Sequence, residues 1–186
     1  LGEFQKAINY FQKAIEFQPS HADAHYNLGI VFKELGEFQK AISCYQKVVQ
    51  IQPNYAGAHY NLGSLLKSLG ELQKARDSYQ KGLEYEPDNL NYYHQLSHFK
   101  KELLNPSFKK KIINIMKKNN STKKNLAYGN FLLAKYEEHL KNYKKEFNFL
   151  LKGHQYYFES KKEKFLIEAE YLLNKLPQIK KLITLN

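Results

Sequence analysis

Hydrophobic, small and polar residues recur with a period of 34 along the first half of the chain. The segment AHYNLGIVFKELGEFQKAISCYQKVVQIQPNY (24–55) realigns onto AHYNLGSLLKSLGELQKARDSYQKGLEYEPDN (58–89). The segment LGEFQKAINYFQKAIEFQPSH (1–21) realigns onto the second half of each. A period of this length is typical of stacked helical hairpins.

Each unit predicts two helices with a glycine turn between them. The first helix runs from about 22 to 35, and the second continues to about Gln52. Pro53 then ends the second helix, because its ring has no N–H to donate. Gly36 and Gly70 occupy helix C-terminal positions where a side chain would be strained.

Small and bulky residues also recur at helical spacing. The small pairs are Gly29 with Ala41 and Gly63 with Ala75, and the bulky residues are Leu28, Leu62, Tyr45 and Tyr79. The small pairs predict close helix contacts, and the bulky residues predict the core between them. Neither helix can bury its apolar stripe alone, so stability is expected to be a sum of contacts between neighbours.

This pattern resembles the tetratricopeptide repeat (TPR) family, whose hallmark is a leucine–glycine pair, an aromatic, a glycine, an alanine, a second aromatic, a small residue and a proline. The matching residues are Leu28–Gly29, Phe32, Gly36, Ala41, Tyr45, Val48 and Pro53 in unit 22–55, and Leu62–Gly63, Leu66, Gly70, Ala75, Tyr79, Gly82 and Pro87 in unit 56–89. Val48 is larger than the usual alanine, and His25 and His59 replace a common tryptophan. The resemblance covers residues 1–103 and implies an all-α fold, a right-handed α-solenoid of TPR hairpins.

The period fails after Glu102. A proline break is followed by a predicted short helix at about 107–118 and a polar linker. Residues 130–154 predict a degenerate hairpin with Lys141 in the turn-glycine position and Glu146 in the alanine position. An amphipathic helix from about Lys161 to Leu176 is expected to cap the exposed apolar face.

The predicted organisation therefore has three parts. They are a TPR array at 1–103 (half repeat 1–21, full repeats 22–55 and 56–89, following helix 90–103), a basic helix and linker at 104–124, and a degenerate hairpin with a C-terminal helix at 125–186. The hairpin FLLAKYEEHLKNYKKEFNFLLKGH resembles the one that precedes the enzyme in bacterial TPR–sulfotransferase fusions. That resemblance implies a catalytic domain downstream, because no Pro-x-x-Gly-Ser/Thr loop for a phosphoadenosyl sulfate donor occurs before Asn186.

Composition narrows the possible partners. The mean hydropathy is −0.66 and no apolar run approaches twenty residues, so no membrane-spanning helix is predicted. The net charge of +11 falls almost wholly after residue 89, which could indicate an acidic partner or nucleic acid. Nucleic acid is not the expected partner, because nearly all the cations are lysines, typical of AT-rich coding, and no reader motif accompanies them.

Other features concern the compartment and the extent of the chain. Cys44 is the single cysteine, so no internal disulfide is required and a cytoplasmic location is expected. The chain begins at Leu1 within a repeat, which predicts a fragment of a longer protein.

Catalytic, metal and cofactor sites are not predicted. No glycine-rich phosphate loop occurs. His94 and His98 have the spacing of two ligands on one helix face, but a third ligand is missing, so they are expected to be packing or groove residues. The pairs Glu137–Glu138 and Glu168–Glu170 are expected on solvated helix faces, and Cys44 is expected to pack as an apolar residue.

Polar residues recur on one face of the first helices, and the family resemblance makes that face the concave groove. The sixth position of each repeat holds Asn27, Asn61 and Gln95, the fifth holds Tyr26, Tyr60 and His94, and the twelfth holds Lys33, Lys67 and Lys101. Amides can grip an extended peptide, because each offers a donor and an acceptor to one backbone amide. Repeats of O-linked N-acetylglucosamine transferases, which these helices resemble, use an asparagine ladder in this way, and the matching residues are Asn27 and Asn61.

Two interpretations of these positions stay open. The asparagines could instead cap or bridge neighbouring helices, and the lysines could be ordinary solvent-facing residues rather than ligands for an acidic group. The carboxylate clamp for chaperone tails is disfavoured, because Tyr26 and Tyr60 stand where it requires lysine.

The leading hypothesis is a protein-interaction scaffold that binds an extended peptide or a partner domain in the groove. The alternative is a non-catalytic arm of a sulfotransferase or glycosyltransferase that positions substrate.

Overall fold

The computed structural model describes residues 2–99 and 104–162, and all the regular structure within them is helical. The chain divides into two compact units, Leu1–Phe99 and Lys100–Asn186. The first unit contains α1 (Gly2–Phe17), α2 (Ala22–Glu34), α3 (Phe38–Ile51), α4 (Ala56–Ser68), α5 (Leu72–Tyr85) and α6 (Leu90–Leu96). The second contains α7 (Pro106–Met116), α8 (Lys123–His139) and a further helical segment at 143–162.

The predicted hairpins are confirmed, with α2 paired to α3 and α4 paired to α5. Gly36 and Gly70 lie in the turns with φ values of 75° and 81°, where L side chains are strained. The N–H of the next residue closes each turn: Glu37 donates to the Phe32 carbonyl at 2.8 Å, and Glu71 donates to the Leu66 carbonyl at 2.9 Å. The turn glycines therefore suit a backbone conformation that L side chains rarely adopt.

A second period-34 contact joins each first helix to the proline turn before it. The ring Nε2 of His25 lies 2.9 Å from the Pro19 carbonyl, and that of His59 lies 2.8 Å from the Pro53 carbonyl. In the next unit the Tyr93 hydroxyl donates to the Pro87 carbonyl at 3.1 Å. A carbonyl only accepts, so Nε2 carries the proton in both histidines. Histidine thus supplies a ring N–H where the family commonly has tryptophan.

The core of each hairpin forms where a tyrosine packs on a glycine. A Cβ on Gly29 would lie 2.7 Å from Cε1 of Tyr45, and a Cβ on Gly63 would lie 2.8 Å from Cε1 of Tyr79. Both tyrosines are fully buried. The predicted close contacts are confirmed, since even one added methyl group would overlap the ring.

The contact between α5 and α6 places its large residue on the opposite helix from the equivalent contact between α3 and α4. A Cβ on Gly82 would overlap the ring of Tyr92, whose hydroxyl donates to the Ala56 carbonyl at 2.5 Å. One repeat earlier, the equivalent positions hold Val48 and Ala58, both buried. The larger side chain therefore comes from the first helix of the pair in Val48 and from the second helix in Tyr92. In both cases a small residue lies at the facing position, so the space between the helices stays filled.

The helix predicted at 90–103 is shorter than expected. Helix α6 ends at Leu96, turn residues follow to residue 99, and residues 100–103 lie outside the described part of the chain.

In the second unit, α7 and α8 are joined by an ion pair between a half-buried lysine and a buried glutamate. Lys109 Nζ lies 2.6 Å from Glu137 Oε1 and 4.6 Å from the ring centroid of Tyr136. Glu137 is 1% exposed, so the prediction that it lies on a solvated face was wrong, although Glu138 is exposed. The sequence pattern of α8 does not reveal Lys109, which comes from another helix and supplies the charge that allows this burial. Glu168 and Glu170 lie outside the described residues.

The degenerate hairpin keeps the turn of the regular repeats without their glycine. Lys141 has a φ of 57°, and the Asn142 N–H donates to the Glu137 carbonyl at 2.9 Å, as in the other turns. A lysine therefore adopts the left-handed conformation that glycine adopts at Gly36 and Gly70.

The helical segment 143–162 carries an apolar stripe at helical spacing. Its members, each between 60% and 70% exposed, are Tyr143, Phe147, Leu151 and Phe158. The capping helix expected at about 161–176 lies outside the described residues except for 161 and 162, which continue this helical segment. No helix in the described part of the chain is long and apolar enough to cross a membrane.

The exchange at Gly82 and Tyr92 predicts strong coupling between the two positions. Gly82→Val alone should destabilise the fold by about 1–3 kcal/mol through overpacking, and Tyr92→Ala alone by about 3–5 kcal/mol. The double variant recreates the Val48–Ala58 combination. Its loss in free energy of unfolding should therefore be smaller than the sum of the two single losses by about 0.5–3 kcal/mol. Urea unfolding followed by circular dichroism measures all three. If the two single losses simply add in the double variant, the proposed exchange is wrong. The control is Gly82→Val combined with Phe17→Ala, whose effects should add because Phe17 is 93% exposed.

The positive φ of Lys141 predicts a stabilising substitution. Lys141→Gly should raise the free energy of unfolding by about 0.5–1 kcal/mol, because relief of left-handed strain exceeds the entropy that glycine gains on unfolding. Lys144→Gly, an exposed change within the helical segment 143–162, should instead lower it by about 1 kcal/mol. Chemical unfolding of both variants tests the contrast, and a loss of stability in Lys141→Gly would refute it.

Candidate functional site

The recurring polar residues lie on α2, α4 and α6, and they share an intermediate degree of burial. The half-buried residues of this polar face are Tyr26, Asn27, Lys33, Tyr60, Asn61, Lys67, His94 and Gln95. The ninth predicted residue, Lys101, lies outside the described residues. Side chains of this kind can contact both the core and a ligand.

Asn61 is linked to the preceding repeat. Its Nδ2 donates to the Tyr26 hydroxyl at 3.0 Å. The Tyr26 ring packs between Tyr45 and Tyr55, with centroid distances of 5.7 and 4.9 Å. Burial raises the pKa of Tyr26 above its usual value, and the hydrogen bond from Asn61 partly opposes that rise. One N–H of Asn61 therefore bridges two repeats, as one of the two interpretations of these asparagines predicts.

Gln95 is held by a different partner. Lys67 Nζ donates to its Oε1 at 3.3 Å, and its Nε2 donates to Asn91 Oδ1 at 3.4 Å. Tyr60, the counterpart of Tyr26, packs against Tyr79 and Tyr92 at centroid distances of 5.9 and 6.0 Å. The second and third amides thus have fixed orientations, obtained through different contacts.

Asn27 is the least constrained of the three amides. Within residues 2–99 and 104–162 its side chain makes no hydrogen bond, so donor and acceptor are both available. Lys33 on the same helix lies 3.5 Å from Glu34 Oε1. Its counterpart Lys67 is followed by Ser68, whose hydroxyl donates to the Leu65 carbonyl at 2.7 Å.

Burial raises the pKa of several phenols of this unit. It raises the pKa of Tyr79 to about 12, and burial together with the Asp23 carboxylate raises that of Tyr55 to about 12. Desolvation also raises the pKa of the Cys44 thiol to about 11, which suits a packed residue. The tyrosines therefore act as neutral hydrogen-bonding groups beside the positive lysines.

The histidine pair forms a ring contact. His94 and His98 pack edge to face with centroids 5.1 Å apart. Among the described residues, no group of three or more His, Cys, Asp and Glu side chains is arranged to hold a metal ion.

Two residues that contact the polar face, Tyr55 and Asn91, were not predicted from the sequence. Tyr55 packs on Tyr26 and donates to Asp23 Oδ1 at 2.9 Å, and Asn91 accepts from Gln95. Tyr55 immediately precedes α4, so it lies outside the first-helix positions at which the polar residues recur. Asn91 stands where the other repeats have Asp23 and Gly57, so its residue type does not recur.

The bond between Tyr26 and Asn61 predicts unequal effects at equivalent tyrosines. Tyr26→Phe should lower the free energy of unfolding by about 1 kcal/mol, because it removes the acceptor for Asn61. Tyr60→Phe is the matched control, since its hydroxyl has no hydrogen bond within the described residues, and it should change stability by only a few tenths of a kcal/mol. Equal losses on urea unfolding would show that the Tyr26–Asn61 bond contributes nothing.

Family models match the first unit. The tetratricopeptide repeat model matches residues 22–55 and again 56–89, and a TPR repeat model matches residues 1–36. No curated protein matches the chain.

Solved structures share the fold. A MamA structure superposes with a TM-score of 0.58 at 18% identity, covering 87% of this chain and 92% of the other. A MamA double mutant gives 0.57 at 16% identity, covering 84% and 86%. The first TPR of Spaghetti (RPAP3), bound to the HSP90 peptide SRMEEVD, gives 0.50 at 24% identity, covering 56% and 82%. Together with the 34-residue hairpins, these matches show that residues 1–89 contain tetratricopeptide repeats and that the chain has an all-α TPR solenoid fold.

Proposed function

We propose that this protein is an interaction scaffold whose polar face on α2, α4 and α6 binds an extended peptide of a partner protein. Two findings support a scaffold: the chain contains TPR repeats, and a solved TPR of similar fold is bound to a peptide. The peptide in that neighbour comes from HSP90 and is bound by the TPR of RPAP3, whereas the proposal for this chain rests on its own side chains.

The observation that carries the proposal is the arrangement of Asn27, Asn61 and Gln95. The three amides recur every 34 residues on successive first helices, and all are half-buried. A fully buried amide would serve the core alone, and a fully exposed one would be mobile. Half-buried amides at regular intervals suit the backbone of an extended chain, which offers donors and acceptors at regular intervals too.

The contacts of the amides support binding rather than oppose it. Asn61 donates one N–H to Tyr26, which leaves its second N–H and its Oδ1 for a ligand. Gln95 is fixed by Lys67 and Asn91, which leaves one N–H. Groups held in place lose less conformational entropy when a ligand binds. Bridging between repeats and peptide binding are therefore compatible roles of the same side chains.

The neighbouring residues would add contacts of other kinds. Tyr26, Tyr60 and His94 offer ring surface, while Lys33 and Lys67 offer positive charge. The alternative function, a non-catalytic arm of a sulfotransferase or glycosyltransferase, stays a prediction, and nucleic acid is not the expected partner.

The proposal predicts that removing the three amides abolishes peptide binding without unfolding the array. A displayed library of random 12-residue peptides is selected on the whole chain, and the enriched peptide is measured by fluorescence polarisation. The triple variant Asn27→Ala, Asn61→Ala, Gln95→Ala should bind it roughly 10- to 1,000-fold more weakly, for three hydrogen bonds of about 0.5–1.5 kcal/mol each. N-methylation of alternate peptide bonds should weaken binding similarly, because it removes backbone donors.

The matched control removes three amides from the second helices. Gln12, Gln46 and Gln80 also recur every 34 residues, on α1, α3 and α5, and all three are exposed. Their replacement by alanine should leave affinity unchanged. Enrichment of no peptide, or equal affinity in both triple variants, would refute the peptide-binding face.

A further inference from the structure

The two lysines of the polar face differ in electrostatic environment although they occupy equivalent positions. Lys33 Nζ lies 3.5 Å from the carboxylate of Glu34. The residue after Lys67 is Ser68, and within the described residues no carboxylate pairs with Lys67, whose partner is the neutral Gln95. The positive charge is therefore compensated on α2 and uncompensated on α4.

Hydrogen-bond chemistry fixes the orientation of Gln95. An ammonium group only donates, so the Gln95 atom that faces Lys67 at 3.3 Å must be its carbonyl oxygen. Its nitrogen then faces Asn91 Oδ1 at 3.4 Å. Oε1 of Gln95 thus uses one of its two lone pairs on Lys67, and the donor that Gln95 can offer a ligand is its remaining N–H.

The subsite between Lys67 and Gln95 consequently presents donors. Lys67 has three N–H groups and uses one on Gln95, and Gln95 keeps one N–H beyond the bond to Asn91. A ligand group that accepts hydrogen bonds fits these donors, and one with negative charge also neutralises Lys67. At the other end of the polar face, Asn27 offers both a donor and an acceptor beside a lysine already near a carboxylate.

From this asymmetry we infer that the Lys67–Gln95 subsite, between α4 and α6, binds a carboxylate of the ligand and so sets the direction in which a peptide lies along the polar face. The inference rests on the proposed function and adds to it a ligand class and an orientation. The carboxylate comes either from the C-terminus of a peptide or from an Asp or Glu side chain.

Small probes test the subsite without a known partner. The probes are N-acetylglycylglycine, with a C-terminal carboxylate, the C-terminal monoamide of N-acetylaspartylglycine, with a side-chain carboxylate only, and N-acetylglycylglycine amide, which is neutral. Each is titrated into the ¹⁵N-labelled whole chain while the side-chain amide resonance of Gln95 is followed. That resonance is assigned by its disappearance in Gln95→Leu.

The expected result is that carboxylate probes shift the Gln95 resonance with a Kd roughly five- to tenfold lower than that of the neutral probe. The tighter of the two carboxylate probes identifies the source. Lys67→Met should abolish the preference, and so should Ser68→Glu, which gives Lys67 the neighbour that Lys33 has. Lys33→Met, the matched control, should leave the preference intact.

Other outcomes overturn the inference. Equal binding of all three probes at Gln95, or an equal effect of Lys33→Met and Lys67→Met, would show that the subsite does not select carboxylates. If the neutral probe then shifts the side-chain amides of Asn27 and Asn61, the peptide-binding face stands and only its direction fails. If Gln95 selects carboxylates while the triple alanine variant still binds the enriched peptide, the subsite stands and the proposed function fails.

Discussion

The first unit depends on the contact of a tyrosine ring with a glycine across each hairpin. Tyr45 on α3 fills the space left by Gly29 on α2, and Tyr79 on α5 does the same at Gly63 on α4. The absent Cβ lets the two helices approach until the ring is fully buried. The contact recurs every 34 residues, and the polar residues of the first helices recur at equivalent helical positions with the same period.

The same aromatic residues connect the core to the polar face. Tyr26 contacts the buried Tyr45 on one side and accepts from Asn61 with its hydroxyl. Tyr60 contacts Tyr79 and Tyr92. A change in packing between repeats would therefore move the groups proposed to contact a peptide. Core packing and ligand affinity are expected to be linked in this fold, since the tyrosine rings belong to both.

Local chemistry explains which features were predictable from sequence. The turns at Gly36 and Gly70 follow from residue type, and Lys141 was placed in the third turn by alignment alone. Burial of Glu137 was not predictable, because its counter-ion Lys109 comes from a helix outside the repeat pattern. The pairing of Asn61 with Tyr26, and of Gln95 with Lys67, depends on side-chain rotamers across neighbouring helices. Periodicity identifies the face on which such residues lie but does not select their partners.

The packing of Tyr92 on Gly82 limits how the number of repeats can change. Unequal recombination between the two similar repeats could delete residues 56–89 and join the first full repeat directly to α6. Val48 would then meet Tyr92, so two large side chains would compete for space that now holds one. Duplication of 22–55 in tandem would place Val48 against a copy of Ala24, which is as small as the Ala58 it faces now. The array can therefore grow from its first full repeat, whereas loss of the second requires a compensating change at Val48 or Tyr92.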